Sequence, residues 1–104
     1  MDLEAFRRSL ADAQPPLLPA PLRALWHLGR NEWDAAHGIV QEESDRDSEW
    51  VHAHLHRVEG DLANARYWYA RIGQPPHIGA LDAEWRELVI AQLAALTAAP
   101  SRRR

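Results

Sequence analysis

The chain has 104 residues, 46% of them hydrophobic and 26% charged, and no cysteine. It is therefore long enough for one globular domain with a sizeable core, and it excludes disulfides and thiolate metal sites. All twelve basic residues are arginines; without the three at the end of the chain, nine basic residues face fifteen acidic ones, a formal charge of −6. Such an acidic body argues against nucleic acid as a partner, because proteins bind nucleic acids largely by neutralising phosphates.

The predicted elements are six helices, and no segment has the alternating β-branched pattern of a strand. The first carries Leu3, Phe6 and Leu10 on one face. A run of prolines breaks the chain before the second, which ends at Gly29, and the third has an apolar stripe that includes Trp33. In chain order the helices are predicted at about residues 2–13, 21–28, 32–43, 48–59, 61–72 and 81–96.

The fourth helix has Val51, Leu55 and Val58 at the i, i+4, i+7 spacing of an inward face, and Gly60 ends it. Asp61 is expected to cap the fifth helix. Because the connections are short, neighbouring helices should pack antiparallel in one domain over 1–98, followed by a disordered arginine-rich tail, 99–104. The amino terminus is charged and no apolar stretch approaches the roughly 18–20 residues of a membrane span, so we expect a cytoplasmic protein without a membrane partner.

One segment of the chain recurs within it. Ala24–His37 reads ALWHLGRNEWDAAH, and 29 residues further on, without a gap, Ala53–Arg66 reads AHLHRVEGDLANAR. Small and apolar residues match, and the last position holds His37 in one copy and Arg66 in the other, directly after a small alanine. A helix–turn–helix unit used twice indicates stacked helical repeats.

The second copy resembles the second half of a tetratricopeptide repeat. Gly60-Asp61 matches the turn between that repeat's two helices, and Ala65-x3-Tyr69 matches its small-residue and aromatic pair. The period is shorter than the usual length of about 34 residues, and the Trp-x2-Leu-Gly opening is missing from both copies. The resemblance implies an all-α, right-handed solenoid of stacked antiparallel hairpins with about six helices. The string HLHRVEGDLANARYWYAR is also similar to a family of small bacterial proteins, a resemblance that supplies no activity.

Trp50, His54 and Arg57 share a second face of the fourth helix at the i, i+4, i+7 spacing. In tetratricopeptide-like stacks this helix lines a concave groove, so the resemblance places the three side chains on a groove surface. An indole and two cationic or hydrogen-bonding groups would suit a peptide or a carboxylate. The alternative is that Trp50 packs on the neighbouring helix and Arg57 pairs with Glu59 or Asp61.

A dense block of arginines and aromatic residues follows in the fifth helix. Tyr67 and Arg71 should share the outer side, which allows a cation–π contact, and Arg66 follows an alanine where a side chain can run between repeats. All three are candidate binding residues. The alternative is that the block only bridges the two units and holds Glu49 or Glu59.

His52 and His56 lie one helical turn apart, the spacing at which two imidazoles can chelate one metal ion. The sequence shows no third ligand beyond the nearby Glu59, and no HExxH pattern. A nucleophile elbow, a glycine-rich phosphate loop and a cysteine nucleophile are all missing from the sequence. The chain is therefore expected not to be an enzyme and to need no cofactor.

The sequence predicts a non-enzymatic module that binds a protein or peptide segment in a helical-repeat groove lined by Trp50, His54 and Arg57. The open ends of a short stack also leave self-association open. The alternative function is a small-molecule or metal-binding protein that uses the cluster of histidine, arginine and tryptophan side chains.

Overall fold

The computed structural model describes residues 1–98 of the chain. Within that range the protein has six helices and no strand, which confirms the all-α prediction. The predicted tail, 99–104, lies outside the described residues. The helices are α1 (Leu3–Ser9), α2 (Ala20–Gly29), α3 (Trp33–Val40), α4 (Arg46–Glu59), α5 (Leu62–Arg71) and α6 (Leu81–Ala98).

Several helix ends differ from the prediction for local reasons. α4 begins before residue 48 because the side chain of Asp45 accepts a hydrogen bond from the Ser48 amide, at 3.0 Å, and so caps the helix. α3 ends at Val40, since Glu42 and Glu43 would place negative charge at the carboxyl end of its dipole. α1 ends near residue 9 instead of 13, with looser turns leading into the prolines.

The repeated segment forms two hairpins, α2–α3 and α4–α5, with the same turn in both. Asn31 and Gly60, at equivalent positions, both have left-handed backbones, with φ of 63° and 88°. In the first turn the Glu32 amide donates to the His27 carbonyl, and in the second the Asp61 amide donates to the His56 carbonyl, both at 2.9 Å. Glycine therefore meets a real conformational need in the second turn, and asparagine, which tolerates this region better than most residues, meets it in the first.

The helix α6 packs back across α2 and α4 instead of extending the stack. The Trp85 indole N–H donates to the Leu25 carbonyl at 3.0 Å, and the molecule measures 37 × 36 × 26 Å. None of the helices within residues 1–98 combines the length and apolarity that crossing a bilayer requires. The main core consists of Phe6, Leu22, Ala24, Leu25, Trp26, Ala36, Val40, Val51, Leu55, Trp85, Leu88, Val89 and Leu93.

Candidate functional site

The face of α4 that the sequence assigns to a groove is covered by α6. Trp50, His54 and Arg57 do lie together, as their helical spacing predicts, but each donates a hydrogen bond to Glu84 of α6. Only 1% of the His54 side chain is exposed, and Glu84 is fully buried. The expectation of an open groove at this position is therefore corrected: the last helix covers this face of α4.

Both oxygens of the Glu84 carboxylate are occupied. Oε1 accepts from Nδ1 of His54 at 2.8 Å and from Arg57 at 2.6 Å. Oε2 accepts from the Trp50 indole at 3.0 Å and from the Tyr69 hydroxyl. The five side chains come from α4, α5 and α6, so this Glu84 cluster fastens three helices to one another.

The Glu84 cluster holds a buried negative charge. Burial alone raises the pKa of Glu84, but the hydrogen bonds from His54, Tyr69 and Arg57 together outweigh burial and lower the pKa to about 2. Burial and the same carboxylate raise the pKa of Tyr69, which stays a neutral donor. With its donors already in place, the carboxylate ties the helices together and leaves no position for a substrate.

The sequence patterns do not identify Glu84 as a candidate functional residue. It lies one helical turn before Leu88, on the inner stripe of α6, and an acidic residue at such a position is a signal that buried donors surround it.

Arg57 has a second role, because it orders the loop between α5 and α6. Its guanidinium donates to the Gly79 carbonyl at 2.6 Å. The Gly79 amide donates to Nδ1 of His77 at 3.0 Å, so Nε2 of that ring carries the proton that is donated to Glu87 at 2.9 Å. These bonds fix the loop and leave the Ile78 side chain 97% exposed.

A cleft of about 360 Å³ lies between α5 and this loop, and we call it the α5 cleft. Ala65 and Tyr69 line its buried part, and two exposed apolar side chains, Leu62 and Ile78, line its mouth. Arg66 also lines it and is exposed, and its side chain forms no hydrogen bond or ion pair with any residue of the described part of the chain. The α5 cleft therefore offers apolar surface beside one uncommitted positive charge.

A second, more open cleft of about 510 Å³ lies where α1, the end of α2, α4 and the start of α6 meet. Its charged side chains already have partners: Arg7 lies over the Trp85 ring at 5.9 Å, and Asp82 pairs with Arg86 at 3.5 Å. Much of its apolar lining packs against the main core, so this cleft presents less free recognition chemistry than the α5 cleft.

The remaining binding candidates of the fifth helix contact residues of their own hairpin, α4–α5. Arg71 forms two hydrogen bonds with the buried Glu49 of α4, at 3.0 and 3.2 Å. The block therefore holds Glu49, as the sequence left open, but this contact joins α4 to α5 and does not bridge the two units. The Arg71 guanidinium also lies 5.9 Å from the Tyr67 ring and 5.2 Å from Trp68, within cation–π range.

Three histidines meet between α3 and α4, and we call them the histidine cluster. Nε2 of His37 lies 3.1 Å from Nε2 of His52, and the ring of His56 lies 5.4 and 5.0 Å from those two rings. One ring nitrogen from each lies within 4.8 Å of the other two. His37 is the third member that the sequence did not join to the pair; its signal was its position as the counterpart of Arg66, facing the next repeat.

Aromatic rings enclose the histidine cluster. Trp33 stacks on His37 with ring centres 4.8 Å apart, and Trp68 stacks on His52 at 4.0 Å. Nδ1 of His56 donates to Glu59 at 2.6 Å. Burial, followed by the neighbouring imidazoles, lowers the pKa of His52 to about 4 and also lowers that of His37, so both rings are neutral at pH 7.

Comparison with protein-family models, with curated proteins and with solved structures finds no match for this chain.

Proposed function

We propose that the chain is a non-enzymatic interaction module, and that it binds a protein or peptide segment in the α5 cleft. The observation that carries this proposal is the exposure of two large apolar side chains, Leu62 at 56% and Ile78 at 97%, at the mouth of one cleft. Apolar side chains that are grouped and exposed around a concavity are typical of interaction sites.

The order of the loop supports this proposal. The residues on both sides of Ile78 are hydrogen-bonded. Arg57 donates to the carbonyl of Gly79, and both ring nitrogens of His77 form hydrogen bonds. A partner would meet a surface that is already formed, so less conformational entropy would be lost on binding.

Charge supports a partner with a carboxylate. Arg66 lies in the α5 cleft without an internal partner in residues 1–98, and an arginine can hold a carboxylate through two parallel hydrogen bonds. The favoured ligand is a peptide segment that places an apolar side chain between Leu62 and Ile78 and an acidic side chain or a terminal carboxylate on Arg66.

The finer fold assignment belongs to the same proposal. We interpret the two hairpins as a tetratricopeptide-like pair whose concave face is filled by α6. The equivalent turns and the buried alanines at matching positions support this interpretation. Recognition would then move from the concave face to the edge of the second hairpin, where Arg66 lies.

The test is selection of peptides from a displayed random library on the full chain, followed by affinity measurement on variants. Ile78→Asp and Leu62→Asp alter exposed side chains and should leave the fold intact, whereas alanine at Trp50 or Arg57 would disturb the Glu84 cluster. Leu17→Asp is the matched control, because Leu17 is fully exposed and does not line the α5 cleft.

We expect Ile78→Asp to weaken selected peptides by at least about tenfold, the effect of losing one apolar anchor, and Leu17→Asp to leave affinity unchanged. Arg66→Ala should weaken only the peptides that carry an acidic residue. Peptides that bind Ile78→Asp and Leu62→Asp as well as the unaltered chain would overturn the proposal.

A further inference from the structure

The histidine cluster has features of a metal site, and it takes no part in the peptide binding proposed for the α5 cleft. His52 and His56 lie one turn apart on α4, which lets both rings reach one point, and His37 approaches that point from α3. Two ligands from one helix and one from its neighbour are a common way to fix three donors. No other residue is needed to complete a three-nitrogen set.

The distances suit a tetrahedral ion. Zinc–nitrogen bonds of about 2.0–2.1 Å put neighbouring ligand atoms about 3.3 Å apart. The nitrogens of His37 and His52 are 3.1 Å apart, already close to that edge. All three lie within 4.8 Å of one another, so small rotations of the His56 ring would bring the third donor to its place.

The outer surroundings also fit a metal. Glu59 accepts from Nδ1 of His56, which leaves Nε2 as the coordinating nitrogen and reproduces the carboxylate–histidine–metal arrangement. The indoles of Trp33 and Trp68 stack against the other two rings and fix their orientations.

Few hydrogen bonds join the three rings of the cluster to one another. Within residues 1–98, a single one does so, between His37 and His52, although His52 and His56 are each only 5% exposed. A shared cation would join all three rings through one lone pair of each.

We propose that the chain binds one divalent transition-metal ion of the zinc class through His37, His52 and His56, with water in the fourth position. Three nitrogen ligands and no thiolate favour zinc, cobalt, nickel and copper over magnesium and calcium, which prefer oxygen. The site is separate from the α5 cleft, so either proposal can fail without the other.

The test uses the full chain after treatment with a chelator. Zinc chloride is titrated calorimetrically, and cobalt chloride is titrated by visible absorption, since tetrahedral cobalt absorbs far more strongly than the octahedral aquo ion. We expect one equivalent of either metal and a visible cobalt band. Zinc at 100 times its dissociation constant should raise the melting temperature by on the order of 10 °C. Magnesium chloride should have no effect.

Variants locate the ion. His37→Ala and His52→Ala should each abolish the cobalt band, while Glu59→Gln, which changes only the group that orients His56, should weaken zinc by about 10–100-fold. His27→Asn, which replaces a histidine of α2 outside both the cluster and the α5 cleft, is the control and should bind as the unaltered chain does. Helical circular dichroism verifies that each variant is folded.

Either of two results would overturn the proposal. One is the absence of both a cobalt band and saturable zinc uptake in the unaltered chain, a result that does not depend on the folding of any variant. The other is binding that survives His37→Ala but is lost in Asp61→Asn, which would assign the ion to the neighbouring group formed by His56, Glu59 and Asp61.

Discussion

Replacing Glu84 by glutamine should cost the protein a large part of its stability. Glutamine keeps the size of the side chain, but it removes the charge that Arg57 pairs with at 2.6 Å. It also turns one acceptor oxygen into an NH₂ group that faces donors from the Trp50 indole and the Tyr69 hydroxyl, or from His54 and Arg57. The variant therefore leaves the Arg57 guanidinium, whose side chain is 11% exposed, without its ion-pair partner, and it brings donors against donors.

The magnitude follows from the pKa. The folded protein lowers the pKa of Glu84 from 4.5 to about 2. At 1.36 kcal/mol per unit, the ionised carboxylate contributes about 3 kcal/mol to the free energy of unfolding at pH 7. Removing one partner of a buried ion pair costs about 3–5 kcal/mol in other proteins, which agrees. For a domain of this size the melting temperature should fall by roughly 10–20 °C.

The assay is urea denaturation followed by tryptophan fluorescence and by circular dichroism. Glu87→Gln is the matched control on the same helix. Glu87 is 57% exposed and contacts only His77 among the polar groups of the described residues, so its loss should cost less than about 0.5 kcal/mol.

The pH dependence gives a second signature. A group whose pKa is lowered on folding stabilises the protein fully above its unfolded pKa, and the effect is lost as the pH falls toward the folded value. The difference in unfolding free energy between the unaltered chain and Glu84→Gln should thus be constant above about pH 5.5 and shrink between about pH 5 and pH 2. Equal losses for Glu84→Gln and Glu87→Gln, or a difference that does not change in this range, would refute the role of the cluster.

Three further substitutions test the fold. Gly60→Ala should destabilise by about 1–2 kcal/mol, because φ is 88° there, whereas Gly38→Ala, within α3 and with open space at its Cβ, should stabilise by about 0.5–1 kcal/mol. Denaturation curves would contradict the account of the turn if the two changes had the same sign. Ser48→Ala should stabilise by about 1 kcal/mol, since its buried hydroxyl has no hydrogen-bond partner in residues 1–98; a loss of stability in the same assay would show that the hydroxyl is satisfied.

Sequence patterns predict what is local in this fold. The spacing of Val51 and Leu55 identifies the inner face of α4, and both side chains are fully buried. The turn signals at Gly60 and Asp61 place the second hairpin, because capping and left-handed backbone depend on a few neighbouring residues. The grouping of Trp50, His54 and Arg57 also follows from helical geometry alone.

Which helix packs on a given helix face depends on residues far apart in the chain, and the sequence patterns do not predict it. Glu84 meets Trp50 across 34 residues of chain, and the acid is interpretable only when the donors opposite it are known. His37 joins His52 across 15 residues for the same reason: the contact depends on how α3 packs on α4. The loop that carries Ile78 contains prolines, and its sequence predicts only an irregular connection. Its order comes from a hydrogen bond of Arg57, which belongs to α4.

The most direct test of the proposed interaction site is a titration of the isotopically labelled full chain with a selected peptide, followed by amide and indole resonances in two-dimensional NMR. We expect the shifts to be confined to the surroundings of Leu62, Arg66 and Ile78, and the indole N–H signal of Trp50 to stay in place because it remains bonded to Glu84. Movement of the Trp50 indole and of α6 resonances, with the Ile78 amide unchanged, would instead show that α6 leaves the concave face and that the peptide binds there.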